Sequence, residues 1–304
     1  MPDYGLSDYL QFVLSGLSTG SIYVLIALGL ITIYNVTGVV NLAQGEFVML
    51  GAMFAVALVG LDVPVGVAFV GSVLGVVLLG MLIQRLTIHP ARHAPEVSLI
   101  IITIGTAIAL RGLALLLWGT TPRSLPEFSP GAPLNVMGAI LSRQRLWIMG
   151  TAGVVLLLLY LFFEFTLLGK AVRACSINRR ASELLGINPQ LMSLLSYALG
   201  AALGAIGGIV IAPLTLVDYG MGLTLGLKGF VAAIMGGLTN MPAAVIGGLA
   251  LGVLESFTSG FISSGIKDAV AFLTLFIILL ARTISIKEVL GKKAAQRKAQ
   301  AKSR

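Results

Sequence analysis

Asn41-Leu42-Ala43-Gln44-Gly45-Glu46 places three hydrogen-bonding side chains and a glycine at the opening of an apolar run. Such a set can line a polar cavity. It can equally start a helix, with Asn41 as the cap and Glu46 favourable in the early turns. Lys228 and Glu255 lie on the two arms of a long apolar stretch, 226–258, interrupted by Gly236-Gly237-Leu238-Thr239-Asn240-Met241-Pro242. They can pair across the break, or each can snorkel to an interface. Arg111 sits inside another apolar run, and no partner for it is legible. Glu164 lies near the end of a run, within reach of solvent. A charge inside an apolar span is costly and usually faces the interior. Asn41, Gln44, Gly45, Glu46, Lys228 and Glu255 are therefore the candidates for a substrate path.

Other chemistry is poorly equipped. Gly169-Lys170 is followed by Ala171 and lacks the upstream glycine of a phosphate-binding loop. His89 and His93 are four apart, but Pro90 and Pro95 argue against a shared helix and no Glu completes a zincin pattern. No catalytic constellation, metal site or cofactor is expected, and the chain is not expected to be an enzyme.

The elements that must position these residues follow from composition. Of 304 residues, 57% are hydrophobic and 11% charged, with a mean hydropathy of +1.01. Soluble domains carry roughly 25% charged residues. An ordinary soluble domain, a disordered chain and a disulfide scaffold are excluded. Apolar runs at 10–34, 38–60, 63–84, 97–118, 146–166, 191–214, 226–258 and 266–284 predict a polytopic all-α bundle, because a span needs about 20 apolar residues. The interruption splits the seventh run into a short segment, 226–238, and a helix at about 242–258, giving nine crossings or eight with a re-entrant segment. Four-residue glycine spacings at Gly16/Gly20, Gly71/Gly75, Gly200/Gly204/Gly208 and Gly248/Gly252 predict close helix packing. The first run is preceded by Asp3 and Asp8 and lacks the basic start of a cleavable signal peptide.

The net charge of +8 resides mostly in the stretch 285–304, which carries seven basic residues and one acid. A basic tail after the last span marks the cytoplasmic side rather than a nucleic-acid site. The basic loops 85–95 and 167–190 agree, which predicts the N-terminus outside and the loop 119–145, with four prolines, on the outer face as a capping surface or linker. The transmembrane domain is expected over 1–284, with the tail at 285–304. The lone Cys175 cannot form an internal disulfide and reads as a reduced bystander in the basic loop.

Within that loop, 178–185 reads as a short amphipathic helix, with Asn178 as N-cap and Gly186 just past its end. Leu184, Leu185 and Ile187 form an apolar patch suited to a groove on a partner, or to lying on lipid. Gly169-Lys170-Ala171-Val172-Arg173-Ala174 followed by Ala181-Ser182-Glu183-Leu184-Leu185-Gly186-Ile187-Asn188 resembles the coupling loop of permease subunits of branched-chain amino-acid ABC transporters, the LivH type. The stretch from Gly16 to Gly29, the segment Asn41 to Phe47, and Gly226 to Gly237 resemble further segments of that family, in the right order over about 10–284. Gln44 stands where His is common in the family, which bears on substrate preference.

The resemblance implies a permease subunit that moves leucine, isoleucine and valine inward across the cell inner membrane. It implies as partners a second, LivM-like permease, two cytoplasmic ATP-binding subunits and a periplasmic or lipid-anchored binding protein. Lipid is the surrounding phase, and no nucleic-acid partner is implied. The ATPase-coupling residues would be Arg173, Ala181, Leu184, Gly186 and Ile187. The nearest alternative keeps the architecture and carries urea, short amides or a simple sugar. A stand-alone secondary transporter is disfavoured by the lack of an internal repeat and of relay charges, and an intramembrane enzyme by the missing constellation.

Overall fold

A computed structural model describes residues 5–92 and 94–280; His93, Arg282 and the basic tail 285–304 lie outside the described residues. The chain is a helical membrane bundle. Its axis is α1 (Leu6–Thr37), whose residues from Ser21 to Ile33 are all buried. A helix apolar on every side must be enclosed. α1 is wrapped by α5 (Arg143–Phe165), α8 (Pro189–Ile211), α9 (Met221–Met235) and α10 (Met241–Phe261). α2 (Gln44–Val59) packs on α8 and α9, and on α3 (Val65–Ile83), which a π-helical turn prolongs to Ile88. α4 (Glu96–Trp118) closes that side. Six helices among the described residues are long and apolar enough to cross a membrane. α3, α4 and α5 present leucine, isoleucine and valine outward, as lipid-facing helices do.

Glycines set the closest approaches. A Cβ on Gly16 would lie 2.5 Å from Val253 Cα of α10, and one on Gly20 2.8 Å from the Gly248 carbonyl. Gly200 and Gly204 admit Ile33 and Phe47 side chains, and Gly208 meets the Val48 backbone. The expected tight packing holds at these positions. Gly71 and Gly75 differ: a Cβ there would make only ordinary contact, at 3.4 and 3.6 Å, with Leu58 and Phe54 side chains.

The expected break is present. α9 ends at Met235, Gly237 and Leu238 take positive φ (86° and 66°), and Asn240 caps α10 by accepting from Ala243 N. A second interruption lies where the apolar run gives no sign of one. The run 38–60 becomes helical only at Gln44, after a left-handed Gly38 and a buried irregular segment. At 16 and 15 residues, α2 and α9 are about 24 and 22 Å long, short of the ~30 Å hydrocarbon core.

The stretch 167–190 is more ordered than a loop. Thr166 caps α6 (Leu167–Ile177), where Cys175 is buried, and Asn178 caps α7 (Arg179–Leu184) by accepting from Ala181 N. Gly186 is left-handed at φ 81°, as its place past the helix end predicts. The proline-rich stretch 119–142 holds a hairpin of β1 (Leu134–Val136) and β2 (Ala139–Leu141), turned by Met137 and Gly138 at positive φ. It is tied to α1, where Gln11 Oε1 accepts from Ile140 N at 2.6 Å.

Candidate substrate path and coupling surface

The short helices bring the first candidates together. Gln44, the first residue of α2, is 1% exposed and donates through Nε2 to the Gly200 carbonyl at 2.9 Å, midway along α8. α2 therefore begins deep in the bundle. Its first turn touches the first two turns of α9: a Cβ on Gly45 would lie 2.8 Å from Gly226 Cα, and one on Gly222 2.7 Å from the Gly45 carbonyl. Neither N-cap residue caps through its side chain, and at the start of α9 Asp218 Oδ1 accepts from Gly220 N at 2.6 Å.

Asn41 does not cap α2. Ala43 occupies the N-cap, and Asn41 Oδ1 accepts from Ala43 N one turn earlier. Thr103 of α4 holds this segment by accepting from Leu42 N at 3.3 Å. Glu46 pairs with Arg111 of α4 at 2.5 Å, with the carboxylate 2% exposed. This is the partner of Arg111 that the sequence left unnamed. Asn41, Gln44, Gly45 and Arg111 line a cavity of about 170 Å³ with α4 and the start of α9. Glu46 is not part of its lining; it is held behind it.

Lys228 and Glu255 do pair, at 3.0 Å, with side chains 4% and 5% exposed. Snorkelling is thereby corrected for both. Lys228 also reaches Asp268 at 2.7 Å, a residue without a distinguishing sequence signal. Tyr23 of α1 donates to Glu255 at 2.6 Å and lies under the Lys228 ammonium, 5.6 Å from the ring centroid. This knot ties α1, α9, α10 and the helical segment after Lys267 together. Glu255 borders a different cavity, of about 390 Å³, with Ser15, Arg145 and Lys267. The six path candidates thus divide between two places.

On the α6–α7 side, Leu184 and Leu185 are 88% and 79% exposed, while Ile187 is half-buried against the bundle. Ala181 is exposed. Arg173 pairs with Glu164 of α5 at 3.1 Å, so it fastens α6 to the bundle. Glu164, read as solvated, is about half exposed and carries that partner.

The letters Gly16-Leu17-Ser18-Thr19-Gly20 match the Gly-x-Ser-x-Gly pattern of a nucleophile elbow. They lie inside α1, where Ser18 is buried and no strand-to-helix turn exists, and the glycines serve packing against α10.

Comparison with known proteins gives the family. Residues 12–279 match the model of the permease component of branched-chain amino acid transport systems. The chain is 33% identical to the high-affinity branched-chain amino acid transport system permease protein BraD of Pseudomonas aeruginosa, over 94% of this chain and 97% of that one. It is 31% identical to the permease protein LivH of Escherichia coli K12, over 91% and 95%. It is also 27% identical to the galactofuranose transporter permease protein YtfT of the same organism, over 86% and 77%. The match spans the bundle from α1 to the last described helix, and the chain belongs to the family of permease components of branched-chain amino acid transport systems.

Proposed function

We propose that the chain is the membrane-spanning half of an ABC importer that moves leucine, isoleucine and valine into the cytoplasm across the inner membrane. The observation that carries this is the near full-length match to two permeases whose names specify branched-chain amino acids. ATP is hydrolysed on two separate cytoplasmic chains, a second LivM-like permease completes the pathway, and a binding protein delivers substrate from outside. The exposed Leu184 and Leu185, held out on a capped helix beside Arg179 and Arg180, form the ATPase-docking surface with Ala181, Gly186 and Ile187. Arg173 positions that surface through Glu164. Asn41, Gln44 and Gly45 belong to the path; Glu46 fixes Arg111 beside it, and Lys228 with Glu255 holds the short helix α9 in place.

A sugar is the second reading, because the galactofuranose permease matches over most of its length. Uptake of labelled leucine, ribose and urea by cells lacking this gene, with and without its return, separates the cargoes. Leucine uptake that returns with the gene and collapses on ATP depletion is the expected result. Return of ribose or urea alone would overturn the cargo.

A further inference from the structure

The 170 Å³ cavity between α2, α4 and α9 carries more than a place on a path. Three polar atoms in its lining residues have no hydrogen-bond partner: Asn41 Nδ2, Gln44 Oε1 and Arg111 Nε. Asn41 and Gln44 are each 1% exposed. Buried polar groups are rarely left unpaired, and each unpaired one costs free energy that a ligand can recover. Their chemistry is specific. Asn41 Nδ2 and Arg111 Nε are donors, and Gln44 Oε1 is an acceptor whose amide nitrogen is already committed to Gly200. Arg111 is fixed through Nη2 by Glu46, so Nε keeps its position.

The starts of α2 and α9 meet at the same spot, at Gly45, Gly222 and Gly226. Their positive ends already carry carboxylates: Glu46 in the first turn of α2, and Asp218, whose Oδ1 accepts from Gly220 N at the start of α9. The remaining lining is aliphatic, with Leu227 and, on the cavity's open side, the outward-facing Ile104, Ile108 and Leu223. The cavity is well below the ~300–1,000 Å³ of drug-sized pockets, which limits the occupant to a small molecule.

We propose that this cavity is a membrane-embedded subsite for a zwitterionic aliphatic amino acid. Its carboxylate is held by Asn41 and Arg111, its ammonium by Gln44, and its side chain by the α4–α9 wall. The proposal rests on the amino-acid transport reading and deepens it. Urea offers nothing to the aliphatic wall, and a sugar would set hydroxyls against it.

The test uses membranes from cells carrying the whole transporter and a leucine analogue with a diazirine in its aliphatic side chain. Illumination during transport is expected to leave adducts on Ile104, Ile108, Leu223 or Leu227, suppressed by excess leucine. Asn41→Ala is expected to lower adduct yield at least about tenfold, the usual worth of one bond to a charged group. Leu223→Trp, at the exposed edge of the wall, is expected to block labelling at unchanged protein level, which guards against a misfolded Asn41 variant. Leucine transport with adducts elsewhere or nowhere overturns the subsite and leaves the transport reading intact. Wild-type membranes that take up no leucine overturn the transport reading and the subsite with it.

Discussion

Lys228 faces two carboxylates, one fully enclosed and one, Asp268, 47% exposed. Removing one partner of a buried pair leaves an uncompensated charge and costs about 3–5 kcal/mol. Lys228→Met is therefore expected to lower the thermal unfolding midpoint of the purified chain sharply. Glu255→Gln keeps an acceptor for Tyr23 and leaves Lys228 its bond to Asp268, so its loss should be smaller. Equal losses in the two variants would mean that the tyrosine and Asp268 add nothing. At this scale the sequence exposes which residues are costly and not whom they meet. Lys228 and Glu255 stand out because they are charged within apolar runs. Asp268 sits beside Lys267 at the start of a run and does not stand out. Glu46 and Arg111 are 65 positions apart, and only the packing of α2 on α4 brings them together.

Helices in this bundle approach through glycine, so side-chain bulk tests the elements. Gly20 has the α10 backbone directly over it, whereas Gly71 has only the end of Leu58 at 3.4 Å. Gly20→Leu is expected to separate α1 from α10 and cost at least about 1–3 kcal/mol; Gly71→Ala is expected to be neutral. Melting of both variants in detergent checks the contrast, since four-residue spacing alone treats the two sites alike. The α6–α7 segment, the proposed docking surface, can be tested in the same way. Gly186 is left-handed with open space around it, so Gly186→Val strains backbone without a clash. The cost is about 1–2 kcal/mol, confined to the end of α7. Stimulated ATP hydrolysis and transport are expected to fall while the melting midpoint moves little; unchanged hydrolysis would count against docking there. Asn178 and Gly186 made this helix readable from sequence. The deep start of α2 was not readable, because an apolar run shows no sign of where its first turn lies within the membrane.

Over the whole molecule, the direction of transport depends on which side each end of the bundle faces. The short helices and the α6–α7 hairpin give the chain two distinct ends, and the placement of basic residues assigns them. Arg85, Arg92, Lys170, Arg173, Arg179 and Arg180 lie at the end that carries α7, and the β1–β2 hairpin lies at the other. Positive loops stay in the cytoplasm, so α7 should be inside and the hairpin outside. Cys175 is buried and is the lone thiol, which makes the test clean after its replacement by alanine. A membrane-impermeant maleimide is expected to label Asn135→Cys in intact cells, and Arg180→Cys only once the membrane is opened. Both sites are exposed, so access decides the result and not local packing. The reverse pattern would put the Leu184–Leu185 surface on the side without ATP. It would remove the docking role from α7 while leaving the fold, the ion pairs and the cavity at Gln44 where they are.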